Sequence, residues 1–307
     1  MNQPLLEHAT QTIAVGSKSF ATAAKLFDAR TRRGALMLYA WCRHCDDVID
    51  GQEMGFTAPA AEGTPGERLE RLRSLTHQAF QGVTMEQPAF AAFQEVALAS
   101  AIPERVAFDH LEGYAMDVRD ERYLTFDDTL RYCYHVAGVV GLMMAQVMGV
   151  RDEAVLDRAC DLGLAFQLTN IARDIVEDAQ AGRCYLPADW LAAEGLSLQN
   201  YAHPTHRAAL ARLAARLVAE AEPYYASARA GLAGLPLRSA WAIATARGVY
   251  REIGVKVRRA GEEAWDRRQG TSKAEKLGLL IAGAGLAVTS RLVPASPRPA
   301  GLWQRPR

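Results

Sequence analysis

The sequence has no excess of charge of either sign. Among its 307 residues, 35 lysines and arginines balance 35 aspartates and glutamates. A nucleic-acid-binding protein that works through bulk positive charge is therefore excluded. Strand-like alternation of β-branched residues is also nearly absent, whereas Ala/Leu/Arg-rich segments with helical periodicity follow one another. Because half of the residues are hydrophobic, the composition predicts an all-α globular protein.

Long hydrophobic runs and a disulfide pattern are missing as well. The most apolar stretch, 136–150, contains Gln146 and is too short to span a bilayer, which takes about 20 residues. The five cysteines are an odd number, and the opening residues lack the basic and apolar regions of a signal peptide. We therefore expect reduced thiols in a cytoplasmic protein.

Helical periodicity and terminal signals divide the chain into nine predicted helices. Thr64 before Pro65 and, further on, Thr205 are expected to cap helices, and Gly149, Gly182 and Gly261 are expected to end them. The predicted helices cover 29–50, 65–81, 88–100, 104–119, 126–148, 153–180, 205–233, 237–260 and 272–291.

No stretch resembles an interdomain linker, so residues 1–292 are predicted to form a single domain. The segment 51–66 is rich in Gly, Ala and Pro, which is typical of a surface loop. The tail, 293–307, has four prolines and several arginines. It is expected to be flexible, because proline prevents a continuous helix.

Two aspartates share one face of the helix predicted over 29–50. In Asp46-Asp47-Val48-Ile49-Asp50, the first and last carboxylates lie about 40° apart around a helix of 3.6 residues per turn. Tyr39 and Arg43 fall within about 60° of Asp46 on the same wheel. Like charges four residues apart destabilise an isolated helix, so the pattern needs an explanation.

A second polar stripe occurs in the helix predicted over 153–180. Gln167, Asn170, Asp174 and Asp178 are spread over about 80° of that helix, among apolar neighbours. Carboxylates in such surroundings are costly to bury unless they are paired or bound to a metal ion.

Together the two stripes suggest a site for divalent cations. Cations such as Mg²⁺ take oxygen ligands and usually bridge one or two carboxylates to substrate phosphates. Arg43 and Arg173 would add bidentate contacts to a diphosphate. One aspartate pair alone is more typical of a solvated helix face, so both interpretations stay open from the residues themselves.

Four motifs, read in order, resemble the squalene/phytoene synthase family. They are Ser17-Lys18-Ser19-Phe20 and the segments 39–50, 132–141 and 167–178. Their order and spacing match over nearly the whole chain and end before the tail. Within the family, the chain is most similar to the bacterial members that form phytoene. The resemblance implies an isoprenoid synthase-type helical bundle around a central cavity.

The resemblance also implies roles for individual residues. Metal binding is implied for Asp46, Asp50, Asn170, Asp174 and Asp178, and a catalytic role for these four aspartates and Tyr250. Contact with prenyl diphosphates is implied for Gly16, Ser17, Lys18, Ser19, Tyr39, Arg43, Gln167 and Arg173. Tyr185 is a further candidate.

The implied activity is that of a prenyl transferase, a geranylgeranyl-diphosphate geranylgeranyltransferase. Two molecules of geranylgeranyl diphosphate would condense head to head through prephytoene diphosphate to phytoene, the first committed step of carotenoid biosynthesis. Mg²⁺ or Mn²⁺ is the expected cofactor, whereas neither NADPH nor a nucleic-acid partner is expected. Because the product is a hydrocarbon, we expect peripheral contact with the inner membrane surface.

Three alternatives remain. The same fold could make squalene or dehydrosqualene from farnesyl diphosphate. Asp-Asp-x-x-Asp at 46–50 also fits head-to-tail elongation or terpene cyclisation, although basic motifs for isopentenyl binding are missing. A helical assembly factor could have kept the fold and lost catalysis, although such a protein would be expected to have lost its aspartates.

Overall fold

The computed structural model describes residues 3–16, 23–53, 56–57 and 63–307, and most of these residues lie in helices. The only strands among them, β1 (Gln52–Glu53) and β2 (Phe56–Thr57), pair antiparallel. The α-helices are α1 (Gln3–Gly16), α2 (Ala29–Asp50), α3 (Pro65–Phe80), α4 (Pro88–Ala99), α5 (Glu104–Val118), α6 (Phe126–Cys133), α7 (Val139–Val147), α8 (Glu153–Gln180), α9 (Ala188–Ala193), α10 (Arg207–Gly231), α11 (Leu237–Ala260) and α12 (Lys273–Thr289). A π-helical segment, Tyr134–Gly138, joins α6 to α7, and 3₁₀ turns cover Pro204–His206, Leu232–Gly234 and Gly261–Trp265. The predicted all-α class is confirmed.

Local signals explain most helix ends. Thr64 forms a capping box with Glu67 at the start of α3. The three glycines expected to end helices all have positive φ, which favours glycine after the last helical turn: Gly149, Gly182 and Gly261. Thr205, in contrast, does not cap α10, because it lies inside a 3₁₀ turn where its backbone N–H donates to His203 Nδ1.

The structure contains elements that the sequence pattern did not predict. Helix α1 has no acidic residue in its first turn and no basic residue in its last, so its ends carry no charge signal. Helix α9 has six residues, too few for a periodic pattern. The helix predicted over 126–148 is interrupted, because the N–H of Val139 bonds to the carbonyl of Tyr134, five residues back.

The apolar stretch 136–150 is an interior element. Val139, Leu142 and Met143 in α7 are buried in the main core. No helix in the ranges given above is long and apolar enough to cross a membrane.

Helix α8 is the central element of the bundle. It packs against α7, α10, α11 and the π-helical segment, while α2 packs against α1 and α4. Between α2 and α4, the rings of Trp41 and Phe93 stack with 4.0 Å between their centroids. The aspartate-bearing faces of α2 and α8 are therefore presented by two firmly packed helices.

Glycines allow α8 to approach α7 and the π-helical segment at backbone distance. A Cβ atom on Gly163 would lie 2.3 Å from the carbonyl oxygen of Ala137. A Cβ atom on Gly141 would lie 2.3 Å from the carbonyl oxygen of Ala159. No side chain fits at either position unless the helices move apart.

The tail differs from the flexible segment that we expected. It forms no helix, but Leu302 is buried in the main core and Arg298 pairs with the buried carboxylate of Asp161. The prediction of a flexible tail considered only its prolines. The arginines between the prolines have acidic partners on α8.

We expect Gly163→Ala to destabilise the protein by about 1–3 kcal/mol, the usual cost of overpacking a well-packed interior. The free energy of unfolding in urea is the measurement. Gly285→Ala on α12 is the matched control, since a Cβ atom there meets nothing within 4 Å. Equal stability of the two variants would contradict the close approach of these helices.

Candidate functional site

The structure brings the two aspartate stripes together. Arg183, which follows α8, donates from Nη2 to Asp50 Oδ1 of α2 at 2.7 Å. The same guanidinium acts electrostatically on Asp46 and on Asp178. Residues more than 100 positions apart in the sequence therefore surround one arginine, and the two stripes face each other.

On α2, the arginine and the carboxylates of the stripe are in contact. Arg43 Nη1 donates to Asp46 Oδ2 at 3.3 Å, and Arg43 Nη2 donates to Asp47 Oδ1 at 2.7 Å. Asp47 was not among the predicted site residues. Its contact shows that Arg43 is held by carboxylates on its own helix.

On α8, Arg173 pairs with the neighbouring carboxylate. Its Nε lies 2.8 Å from Asp174 Oδ1. Arg268, from the segment between α11 and α12, reaches Asp174 Oδ2 at 3.2 Å and also contacts Glu177. The two arginines thus partly neutralise this end of the site.

The remaining carboxylates are not fully neutralised. Partial burial, together with the charge of Asp50, raises the pKa of Asp46 to about 6. Partial burial, together with the charge of Asp174, raises the pKa of Asp178 to about 7. In both cases burial is the larger cause and a neighbouring carboxylate adds to it, so an arriving cation would be favoured at either group.

The uncharged members of the two stripes line an apolar cavity of about 800 Å³, and the aspartates follow them further along α2 and α8. We call the end beside the aspartates the mouth; it is lined by Tyr39, Gln167, Asn170 and Tyr250. We call the opposite end the deep end; it is lined by Val155, Arg158 and Gly231. The volume lies within the range of sites that enclose small ligands.

Tyr250 lies where the polar mouth meets the apolar cavity. Its ring stacks on Phe166 of α8 with 4.1 Å between centroids. Burial raises the pKa of its hydroxyl, while the nearby charge of Arg173 opposes that shift. The predicted site residues Tyr39, Gln167, Asn170 and Tyr250 thus share one cavity wall.

Two polar atoms at the mouth fit a charged ligand. Asn170 Oδ1 and Arg43 Nε are buried and have no hydrogen-bond partner among the described residues. A carboxamide oxygen beside carboxylates suits Mg²⁺, and an unpaired guanidinium N–H suits a phosphate oxygen. The same part of the chain holds no cluster of three or more His, Cys, Asp or Glu side chains that could enclose a metal ion by itself. The chemistry of these oxygen donors suits Mg²⁺ bound by few carboxylates and completed by substrate oxygens.

Several residues of the site were missed by the sequence analysis. Asp117 accepts hydrogen bonds from the hydroxyls of Tyr132 and Tyr185, which stack on each other at 4.5 Å. Burial raises the pKa of Asp117 to about 6. Arg183 could have been found from the sequence, because it directly follows the glycine that ends the aspartate-bearing helix. Nothing in the sequence marks Asp117 or Arg268.

Part of the predicted diphosphate-binding set lies outside the description. Ser17, Lys18 and Ser19 fall outside the described residues, and Gly16 is the last residue of α1. Their predicted contacts stay predictions.

Comparison with known proteins agrees with this geometry. Residues 13–275 match the squalene/phytoene synthase family. The chain is 70% identical to a 15-cis-phytoene synthase of Pantoea ananas, over 100% of both chains. It is 68% identical to a phytoene synthase of Pseudescherichia vulneris, over 99% of this chain and 98% of the relative.

A solved structure extends the comparison to the fold. A dehydrosqualene synthase in complex with a ligand superposes with a TM-score of 0.81 at 26% identity, covering 94% of this chain and 98% of the other. The chain belongs to the squalene/phytoene synthase family.

Proposed function

We propose that this chain condenses two molecules of geranylgeranyl diphosphate to phytoene. One observation carries the proposal. The two carboxylate stripes meet beside the mouth of an apolar cavity, where Arg183, which follows α8, contacts Asp50 of α2. Loss of diphosphate from one substrate gives an allylic cation, which the double bond of the second substrate attacks, and loss of a proton closes the cyclopropane ring of prephytoene diphosphate. Loss of the second diphosphate, rearrangement and loss of a proton give phytoene without a reductant.

The arginines of the mouth bind and orient the diphosphates. Arg43 and Arg173 are held by neighbouring carboxylates, so their guanidinium groups are positioned before a substrate arrives. Several divalent cations, Mg²⁺ or Mn²⁺, would be held by Asp46, Asp50, Asn170, Asp174 and Asp178, with few carboxylates for each ion, and would neutralise charge on the leaving diphosphate as Lewis acids.

The cavity protects the reacting carbocation. Its apolar wall excludes water, which would otherwise capture the cation as an alcohol. The stacked rings of Phe166 and Tyr250 present aromatic faces near the mouth, where positive charge develops. No group of the site has to deliver a hydride.

The alternatives explain fewer observations. The relatives of 70% and 68% identity are named phytoene synthases, which favours a twenty-carbon substrate over farnesyl diphosphate. A non-catalytic assembly factor has no need for unneutralised carboxylates at a cavity mouth, because they lower its stability.

We further propose that α12 docks on the surface of an anionic bilayer. Between its first residue, Lys273, and its last, Thr289, the exposed positions are apolar or small: Ala274, Leu277, Gly278, Ile281, Ala282, Gly285 and Val288. Leu277 also lines the cavity, so the cavity reaches the surface beside this helix. Lys273 at one end of α12 and Arg291 beyond the other complement anionic headgroups. A hydrocarbon product could then pass into the lipid.

An assay with purified protein, geranylgeranyl diphosphate and Mg²⁺, but without NADPH, tests the proposed activity. We expect phytoene in the extracted lipid by mass spectrometry and no product after metal chelation. Asp46→Ala or Asp174→Ala should lower kcat by about 10²–10³-fold while circular dichroism stays unchanged. Glu86→Ala in an exposed loop is the control. A thirty-carbon product, or near-normal turnover of the aspartate variants, would refute the proposal.

Asp178→Asn should raise the stability of the protein and lower its activity. The half-buried Asp178 carboxylate lies near Asp174, so an uncharged amide should stabilise the metal-free protein at pH 8 by about 1 kcal/mol. Urea unfolding in the presence of EDTA measures this gain, and the same variant should lose turnover. Glu86→Gln should change neither quantity. A less stable Asp178→Asn protein would contradict surplus negative charge at the mouth.

Vesicle binding tests the docking surface. Replacing Ile281 and Val288 together by Glu should lower binding to phosphatidylglycerol-containing vesicles by about tenfold, because two exposed apolar side chains no longer enter the lipid. Leu98→Glu on α4, a residue of similar exposure, is the control. If the wild-type protein instead forms a dimer that the double variant abolishes, without binding vesicles, α12 is a protein interface and the proposal is wrong.

A further inference from the structure

The tail is anchored to α8 by a buried ion pair. Arg298 donates from Nε and Nη2 to the two carboxylate oxygens of Asp161, at 2.9 and 2.7 Å. The Asp161 side chain is 1% exposed, and it also accepts a hydrogen bond from Ser227 of α10. A two-pronged contact with a buried carboxylate fixes both position and orientation of the guanidinium.

The contact continues along α8 as a charge match. Glu153, Asp157 and Asp161 lie four residues apart and form an acidic stripe near the start of the helix. Arg305 contacts Asp157 at 2.6 Å and also pairs with Glu153. Arg307 contacts Glu153 at 2.8 Å and Asp157 at 3.0 Å. The basic residues of the tail thus neutralise a third carboxylate ladder of this chain.

Arg158 connects the tail to the deep end of the cavity. Its stem lies against Gly231, where a Cβ atom would be 2.9 Å from Arg158 Cβ. Its guanidinium donates to the carbonyl oxygen of Ser227 at 3.0 Å and to that of Ser296, in the tail, at 2.5 Å. The tail therefore holds a side chain that lines the cavity.

The tail also contacts a second part of the cavity wall. Leu302 is buried, and the ring of Trp303 lies 5.3 Å from that of Tyr134 in the π-helical segment. The backbone N–H of Trp303 donates to the Tyr224 hydroxyl of α10 at 3.2 Å. Val136 and Ala137 of the same π-helical segment line the cavity. The tail joins α8, α10 and this segment where the cavity ends.

The length of the cavity can be compared with the length of a prenyl chain. Arg158 lies twelve residues before Asn170 on α8, which is about 18 Å along the helix axis. That distance is comparable to an extended twenty-carbon isoprenoid whose diphosphate lies at the mouth. The deep end is therefore the place where the last isoprene unit of the chain would stop.

We propose that the tail braces the deep end of the cavity and limits the length of the isoprenoid chain that the enzyme accepts. Arg298 and Asp161 act as positioning residues, because they reach the substrate through Arg158 and the packing around it. This proposal depends on the proposed function only because prenyl diphosphates are the substrates chosen to test it.

Chain-length selectivity is the test. Arg298→Gln should raise the ratio of kcat/KM for a twenty-five-carbon prenyl diphosphate to that for geranylgeranyl diphosphate by about tenfold, because a loosened end admits another isoprene unit. Since Arg298→Gln leaves a buried carboxylate unpaired, the double variant Asp161→Asn/Arg298→Gln is measured beside it. Removing both charges avoids that cost and should raise the ratio as well.

Two further variants make the outcome decisive. Arg212→Gln breaks an exposed ion pair with Glu194 and should leave the ratio unchanged. Val155→Ala shortens a side chain at the deep end without altering the tail and should raise the ratio. If Val155→Ala raises it while both tail variants only lower the midpoint of thermal unfolding, the tail is a stabilising clasp and the proposal is overturned.

Failure of the proposed function gives a different result. A wild-type protein that makes no forty-carbon product refutes the proposed function alone. The shift in unfolding midpoint produced by fifteen-, twenty- and twenty-five-carbon diphosphates then reports chain-length preference. The tail proposal still requires that preference to move to longer chains in the double variant, and an unmoved preference overturns it.

Discussion

Repulsion between two facing carboxylate ladders is the constraint on which the rest of the structure depends. Asp46 and Asp50 on α2 meet the stripe that ends in Asp178, and Arg183 contacts Asp50 while acting electrostatically on Asp178. Burial first, and then the neighbouring carboxylates, raise the pKa of Asp46 and of Asp178 despite the nearby arginines. Such a site persists only if both helices are held firmly by the remainder of the bundle. The close packing of the interior therefore serves the site as well as the fold.

Helix α8 combines three environments along its length. Its first part carries an acidic stripe that is neutralised by the tail. Its middle carries Gly163, which allows backbone contact with the neighbouring segment. Its last part carries the incompletely neutralised stripe at the cavity mouth. One helix thus fixes the closed end, the wall and the reactive end of the cavity. A shift of α8 would disturb all three together.

Sequence patterns predicted the parts of the site that obey helical periodicity. The bounds of α8 were predicted as 153–180 from helical periodicity and from Gly182, and the structure adds that the Asp152 side chain caps the start. Tyr39, Gln167, Asn170 and Tyr250 share the cavity as the motifs implied. Arg268 and the tail were not foreseen, because they lie in non-helical segments that have no period. Arg298 meets Asp161 across 137 positions, and only the folded chain brings such residues together.

The ion pairs at the mouth also determine how a charged substrate can enter. Arg173 already contacts Asp174, and Arg43 already contacts Asp47. A diphosphate that takes these guanidinium groups leaves carboxylates without partners inside a partly buried site, which is unfavourable unless cations arrive with it. Cations bound to the carboxylates, as we propose, would in turn release the arginines for the diphosphate. Each ligand therefore removes the cost of binding the other, and the two should bind cooperatively, since such coupling is reciprocal. A mouth built from exchangeable ion pairs thus favours diphosphate that arrives with its metal ions over either component alone.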